Sequence, residues 1–450
     1  MPRLSDLPKL PGTVVGGVLA DSRRDVPWDG SPHRRGDRRS REVTVPGGVL
    51  DQAEPLTGPC VAHTRTEPAE LAKFHVPEVV FGPGSLAELG HAALRVGARR
   101  PFVITDPGLI EAGWVDEAES HLRLAGLRPV VFSGVTPNPK DHEIEAAYQQ
   151  YASVGSDVII AVGGGSCIDA AKGVAILSGN GGTILGYAGV DKVVQPIPPL
   201  VMAPSTSGTG ADVSQFAVVT DTTQHTKITI ISRTLVPDIS IVDPRLLITM
   251  PDELNAATGL DALTHAVESF VSRAHNPLTD QHALHAATLI TRNLLHTMVH
   301  PRAADPRIAM AQGALEAGMA FTNAILGITH AMSHQVGGLL DAPHGVLNGV
   351  LLPHAIRFNA ATAPERFVPL AAATGIDVTG KPAAEVAELF ACRVRELADA
   401  VGVPRGLAAL GVTEADIDTL TRTTLQDACL ATNPRQASAA DVAALFRQAL

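Results

Sequence analysis

Asp157-Val158-Ile159-Ile160-Ala161-Val162-Gly163-Gly164-Gly165-Ser166 is the stretch on which the fold turns. The apolar run after Asp157 has the length of a strand, and its continuity fits a strand with no face left to water. It passes straight into glycines and then into a helical pattern through Asp169-Ala170-Ala171-Lys172. A buried strand, a glycine turn and a helix form the repeating unit of a parallel sheet covered on both faces. Glycines at such a turn let backbone N–H groups approach a phosphate, and the helix N-terminus adds the positive end of its dipole. Ligands of open parallel sheets bind at the carboxyl ends of strands, where this loop lies. The loop is neither GxGxxG, since Ile168 stands at the last glycine place, nor a P-loop, so position rather than motif points to a nucleotide.

Outward from this stretch the same alternation continues. Val79-Val80-Phe81 runs into Gly82-Pro83-Gly84, after which Ser85 is expected to cap a helix reaching about Val96. Phe102 to Asp106, Pro129 to Phe132, Leu200 to Ala203 and Ile239 to Pro244 read as further strands, with a hairpin between Phe216–Val219 and Lys227–Ile231. A second small-residue loop, Pro204 to Gly210, follows a strand end and adds hydroxyls beside the first. Asp106, at the end of its strand, is placed to accept hydrogen bonds from a ribose or to cap the turn before Pro107-Gly108. In the ribose role its carboxylate would repel a 2'-phosphate, which favours NAD over NADP. After Met250-Pro251 the chain reads as helices to its end. The expected fold is a Rossmann-like α/β dinucleotide-binding domain, residues 73–249, followed by an all-α metal-binding domain, residues 250–450. Residues 1–72, rich in Pro, Gly and Arg, are expected to be a disordered tail. Acidic residues interrupt its basic cluster, Arg34 to Arg41, which fits neither a transit peptide nor a nucleic-acid arm.

A net charge of −11 over 450 residues argues against nucleic acid as a partner, because phosphate binding needs clustered positive charge. Cys60, Cys167, Cys392 and Cys429 are scattered, which excludes a disulfide framework or thiolate zinc site and makes a reducing cytoplasm the expected location. Ala317 to Leu340 carries no Asp, Glu, Lys or Arg, yet Thr322, Asn323, Thr329, His330, Ser333, His334 and Gln335 make it too polar for lipid. No secretory signal and no membrane span are expected.

The helical half carries the reactive groups. His330 and His334 are four apart and share a helix face, and His344 arrives after the turn at Pro343. Imidazoles converging in apolar surroundings need partners, which points to a metal or a proton-transfer site. Asp261 and His265 share the face of another helix. Alone they read as a surface ion pair, but beside the histidine stretch they read as ligands. Histidines with one carboxylate suit Fe(II) or Zn(II) acting as a Lewis acid. Glu268 is expected either to orient His265 or to lie in solvent. His282, His285, His296, His300 and His354 have no partner at ligand spacing.

From Phe74 onward the chain resembles the iron-dependent (group III) alcohol dehydrogenases. The resemblance rests on Phe81-Gly82-Pro83-Gly84, the GGGS loop, Pro204 to Thr209, Ala257 to His265, the 330–344 histidine stretch and Thr432-Asn433-Pro434-Arg435. It implies the dehydroquinate synthase-like fold of that family and a metal held by Asp261, His265, His330 and His344. His334 then falls where the family has a proton relay. It implies cofactor contacts from Asp106, Asn138, Gly164, Gly165, Ser166, Asp169, Ser205, Thr209, Ser214, Val218 and Lys227, and a substrate pocket lined by Phe321 and Cys429. Ser205 and Ser207 replace threonine and alanine of the usual loop, which keeps the first hydroxyl. The activity implied is metal-dependent, NAD(H)-linked hydride transfer on a small alcohol or aldehyde by a homodimer or larger homo-oligomer. A maleylacetate reductase-like keto-acid reductase would not need the four ligands, and a dehydroquinate synthase-like lyase would have a different ligand pattern. A non-catalytic relative acting as a binding protein would be expected to lose part of the ligand set or glycine loop.

Overall fold

The computed structural model describes residues 72–450 except His225. The expected tail, with Cys60, lies outside the described residues apart from Ala72. The strands are β1 (Glu78–Phe81), β2 (Pro101–Ile104), β3 (Val130–Phe132), β4 (Val158–Gly163), β5 (Gly189–Val190), β6 (Leu200–Pro204), β7 (Phe216–Asp221), β8 (Thr226–Ile231) and β9 (Ile239–Val242). Six of them form one parallel sheet in the order β1-β9-β6-β4-β2-β3. The opening stretch forms β4, buried along its whole length near the middle of the sheet. Its side chains alternate between two cores: Val158, Ile160 and Val162 join Leu86, Leu89, Ala118 and Leu122, while Ile159 and Ala161 join Ile144, Ala147, Ile168 and Ala171. Burial on both faces explains why no polar residue interrupts the run.

From β2 the chain passes to the edge strand β3 and then returns to β4 on the other side of β2. This reversal opens a crevice at the carboxyl ends of β2 and β4. Asp106 and the Gly163–Gly165 loop lie there. The hairpin β7–β8 is antiparallel and takes β5 into a separate three-stranded sheet.

The helices of this half are α1 (Leu89–Arg95), α2 (Pro107–Glu111), α3 (Trp114–Leu124), α4 (Asp141–Val154) and α5 (Gly165–Asn180). Ser85 does not cap α1, contrary to the expectation. Ser85–Glu88 is a 3-10 turn preceding it, and the Ser85 hydroxyl has no partner among the described residues. The carboxylate of Asp243 accepts the Gly84 and Leu86 N–H groups instead, at 3.1 Å each.

The remaining helices are α6 (Asp252–Val271), α7 (Pro277–Val299), α8 (Ala304–Ala324), α9 (Ile328–Leu340), α10 (His344–Ala360), α11 (Phe367–Ala373), α12 (Ala383–Ala400), α13 (Ile417–Thr424) and α14 (Ala439–Ala449). They share one apolar core. Helix α6 is buried from Asn255 to Val271 and packs on α7, α8 and α10. Such burial puts its polar residues, Asp261, His265 and Glu268, deep inside the protein. Among the described residues no helix is long and apolar enough to cross a membrane.

Candidate active site

Helices α6, α9 and the start of α10 converge on Asp261. The Nε2 atoms of His265, His330 and His344 lie 3.8, 3.7 and 3.7 Å from Asp261 Oδ1. Ligand atoms of Asp261, His265 and His330 all fall within 4.8 Å of one another. These distances are too long for hydrogen bonds. They are close to the spacing of about 3.4 Å expected between ligands of a tetrahedral ion at roughly 2.1 Å. The outer nitrogens are already engaged. His265 Nδ1 meets the Gly208 carbonyl at 3.2 Å, His330 Nδ1 meets Glu268 Oε2 at 2.7 Å, and His344 Nδ1 meets Ser333 Oγ at 3.4 Å. With the Nδ1 atoms tied outside, the Nε2 lone pairs point inward, as metal ligation requires.

The electrostatics fit the same group. Burial pushes His265 down to about 4 and His344 well below its ordinary value, favouring neutral imidazoles as ligands. Burial acts against charge on His330 as well, but Asp261 and Glu268 overcome it and push that group up to about 9. Two buried carboxylates therefore draw positive charge into this spot. Asn348 donates Nδ2 to Asp261 Oδ1 at 2.7 Å and lies 3.2 and 3.3 Å from the Nε2 atoms of His330 and His344. His344 owes its position to Gly345, where a Cβ would collide with the Ala257 carbonyl of α6.

Glu268 orients His330, not His265. Its carboxylate also accepts the Gly327 and Thr329 N–H groups at 3.0 and 2.6 Å, so it caps α9 from α6. The Asn433 side-chain oxygen takes the Ile328 N–H at 3.1 Å. The first turn of α9 thus has its free donors satisfied by residues distant in sequence.

His334 stands apart from the four inward groups. Its ring is 6.0 Å from that of His330 and stacks on His344 at 5.3 Å, and its Nδ1 lies 2.9 Å from Asp427 Oδ2. Burial would raise the Asp427 carboxyl, but His334 and the Cys429 N–H hold it below its ordinary range.

An open cleft leads from these histidines to the end of the parallel sheet. It brings together eight of the expected cofactor residues: Asn138, Gly165, Ser166, Asp169, Thr209, Ser214, Val218 and Lys227. Phe321, the four inward groups and His334 line it too. Gly165 has no room for a Cβ, which would meet Thr209 Cγ2 at 2.6 Å. Asp106, Gly164, Ser205 and Cys429 are not among the lining residues. Asp106 caps α2 through the Leu109 N–H at 3.1 Å, and Cys167 Sγ lies 3.3 Å from its other oxygen. Cys429 is fully buried in an apolar cluster with Phe216 and Phe321.

Sequence reading missed several contributors. Phe216, Thr220 and Leu326 line the cleft. Buried Lys172 donates to the carbonyls of Ala211, Ser214 and Phe216 at 2.7, 2.7 and 2.8 Å, and so fixes the loop bearing Ser214. Lys227 Nζ donates to Asn138 Oδ1 at 2.7 Å, and Asn138 Nδ2 to Asp341 Oδ1 at 2.5 Å, joining the cleft wall to the end of α9. A lysine inside an Ala-rich helical run was a signal for Lys172, since an uncompensated buried ammonium is costly. Asp427 and Asn348 carried no comparable mark.

Residues 77–244 match the family described as iron-containing alcohol dehydrogenase, and residues 255–450 match the C-terminal part of the Fe-containing alcohol dehydrogenase family. The chain is 41% identical over 379 residues to a 1,3-propanediol dehydrogenase of Citrobacter freundii, covering 84% of this chain and 98% of that one. It is 35% identical to an NAD-dependent methanol dehydrogenase of Bacillus methanolicus, covering 84% and 100%. A crystal structure of 1,3-propanediol oxidoreductase superposes with a TM-score of 0.82 at 40% identity, over 84% of this chain and all of that one.

Proposed function

The chain belongs to the iron-containing alcohol dehydrogenase family, and from that premise we propose that it interconverts a small uncharged alcohol and its aldehyde, with NAD(H) as the hydride carrier. It is an alcohol oxidoreductase. One observation carries the reading of its chemistry: three imidazole Nε2 atoms face one carboxylate oxygen at 3.7–3.8 Å, inside a cleft that also reaches the glycine loop. Asp261, His265, His330 and His344 would hold a divalent metal, Fe(II) or alternatively Zn(II), since the ligand set suits both. When bound, the metal supplies a Lewis acid that eases loss of the hydroxyl proton, and the nicotinamide supplies the hydride acceptor.

The protein's own groups do the rest. Ser166, at the N-terminus of α5, and Thr209 would position the dinucleotide, with Asp169 and Lys227 on the same wall. Phe216, Phe321 and Leu326 give the reacting end apolar walls that exclude water and favour a short uncharged chain. Among the described residues Lys227 is the sole Lys or Arg that lines the cleft, so they provide no second clamp for a substrate carboxylate. His334 would receive the hydroxyl proton, a task suited to imidazole. The division at Met250 would separate nucleotide handling from metal handling. The enzyme is proposed to act in the cytoplasm as a homo-oligomer.

The test is turnover by metal-loaded protein of short aldehydes with NADH, and of 1,3-propanediol and methanol with NAD, each repeated with NADP(H). NAD-linked turnover of an uncharged substrate is expected. Absence of turnover of every alcohol and aldehyde, with bound metal confirmed, would overturn the reading.

A further inference from the structure

We propose that Asp427 is a positioning residue that fixes His334 in the tautomer with its hydrogen on Nδ1, leaving Nε2 bare as the proton acceptor of the cleft. The inference rests on the reading of His334 as the proton carrier and names what makes that histidine competent.

Asp427 Oδ2 is 2.9 Å from His334 Nδ1, and the two side chains are 7% and 6% exposed. An ionised carboxylate can only accept, so the imidazole nitrogen facing it must donate. The orientation of the carboxylate is itself fixed. Its Oδ1 takes the Cys429 N–H at 2.9 Å, capping the 3-10 turn Ala428–Thr432, and Gln335 Nε2 donates to Oδ2 at 3.2 Å. That turn is tied back to the base of α9 by Thr432 Oγ1, which donates to the Leu326 carbonyl at 2.7 Å. Capping alone would occupy one oxygen. The other gathers two side-chain donors from α9.

In alcohol oxidation the O–H bond of the substrate breaks as an N–H bond forms at Nε2, directly or through one bridging hydroxyl or water. The ring then carries a proton on each nitrogen and one positive charge, which faces the Asp427 carboxylate. In aldehyde reduction the same N–H returns its proton to the alcohol oxygen. With the hydrogen on Nε2 instead, the neutral ring would present a donor to the hydroxyl and could not accept.

Asp427→Asn separates this role from the cap. Asn caps as well as Asp, so its oxygen stays toward the Cys429 N–H. The amide NH2 then faces His334 Nδ1, which must accept, and the ring hydrogen moves to Nε2. The experiment measures kcat, metal content and imidazole 15N shifts for the wild type, Asp427→Asn, His334→Ala and the double variant, with the His334 signal assigned by its loss in His334→Ala. The shifts are read on metal-free and zinc-loaded protein. Expected are an Nδ1–H signal in the wild type, an Nε2–H signal in Asp427→Asn, unchanged metal content, and a kcat loss of roughly ten- to hundred-fold in Asp427→Asn. The double variant should be no slower than His334→Ala, because one residue acts through the other. An Nε2–H tautomer in the wild type overturns the proposal even if Asp427→Asn does not fold. Losses that multiply in the double variant, or a wild-type kcat in Asp427→Asn, overturn it while leaving His334 as the carrier. A wild-type kcat in His334→Ala overturns the reading of His334 as well.

Discussion

His265→Ala removes one of the inward Nε2 atoms and is expected to lose metal and turnover together, whereas His334→Ala should retain metal and lose on the order of a hundred-fold in kcat. Elemental analysis of the two purified variants beside their kinetics decides it; a metal-free His334→Ala would refute the division of labour. Lys227 makes a second prediction at this scale. Burial pushes its ammonium down to about 8, against the pull of Asp341. A bound dinucleotide adds negative charge, so the complex holds that proton more tightly than the free protein does. Affinity is therefore full below pH 8 and weakens above it, Kd for NADH rising by up to about tenfold per pH unit until the pKa of the complex is reached. Fluorescence titrations should show this rise and its loss in Lys227→Met. The histidines were legible in sequence because spacing along a helix fixes which side chains share a face. Their partners were not, because no spacing links His334 to Asp427, 93 positions away, or assigns Glu268 to His330 rather than His265.

Helix α9 shows what an element can conceal. Its first turn carries none of its own capping chemistry, and Glu268 of α6 supplies it. Glu268→Ala would strand buried N–H groups and is expected to cost about 3 kcal/mol or more in stability. Glu268→Gln keeps the shape but not the charge, and should weaken metal binding by roughly ten- to hundred-fold. Thermal unfolding and metal titration measure the two effects separately; an unchanged melting temperature in Glu268→Ala would remove Glu268 as the cap. The same concealment explains Ser85, where a serine before an apolar run resembles a cap while Asp243, 159 positions after Gly84, does the work. The strands of the parallel sheet gave no such trouble, although the two-residue β5 of the smaller sheet was not foreseen. A buried parallel strand declares itself by its own composition, as β4 does, whereas a helix start can borrow its partners from anywhere in the chain.

At the scale of the whole molecule, the parallel sheet was readable from the alternation of strands and helices, and the helical half from the change of texture after Met250. The path of the cleft between them was not readable, since it depends on how the hairpin and α9 lie against each other. There the row Lys227, Asn138, Asp341 crosses from the nucleotide wall to the end of the helix that carries His330. A dinucleotide that engages Lys227 must disturb or tighten that row, and a metal that draws on His330 pulls on the same helix. The two ligands would then be thermodynamically linked, and linkage is reciprocal: whatever factor the metal contributes to NADH affinity, NADH must return to metal affinity. Measuring Kd for NADH with and without metal, and for metal with and without NADH, should give equal ratios different from one. Asp341→Ala should bring both ratios toward unity. The short row of side chains would then be the wire by which each half of the enzyme senses whether the other is loaded.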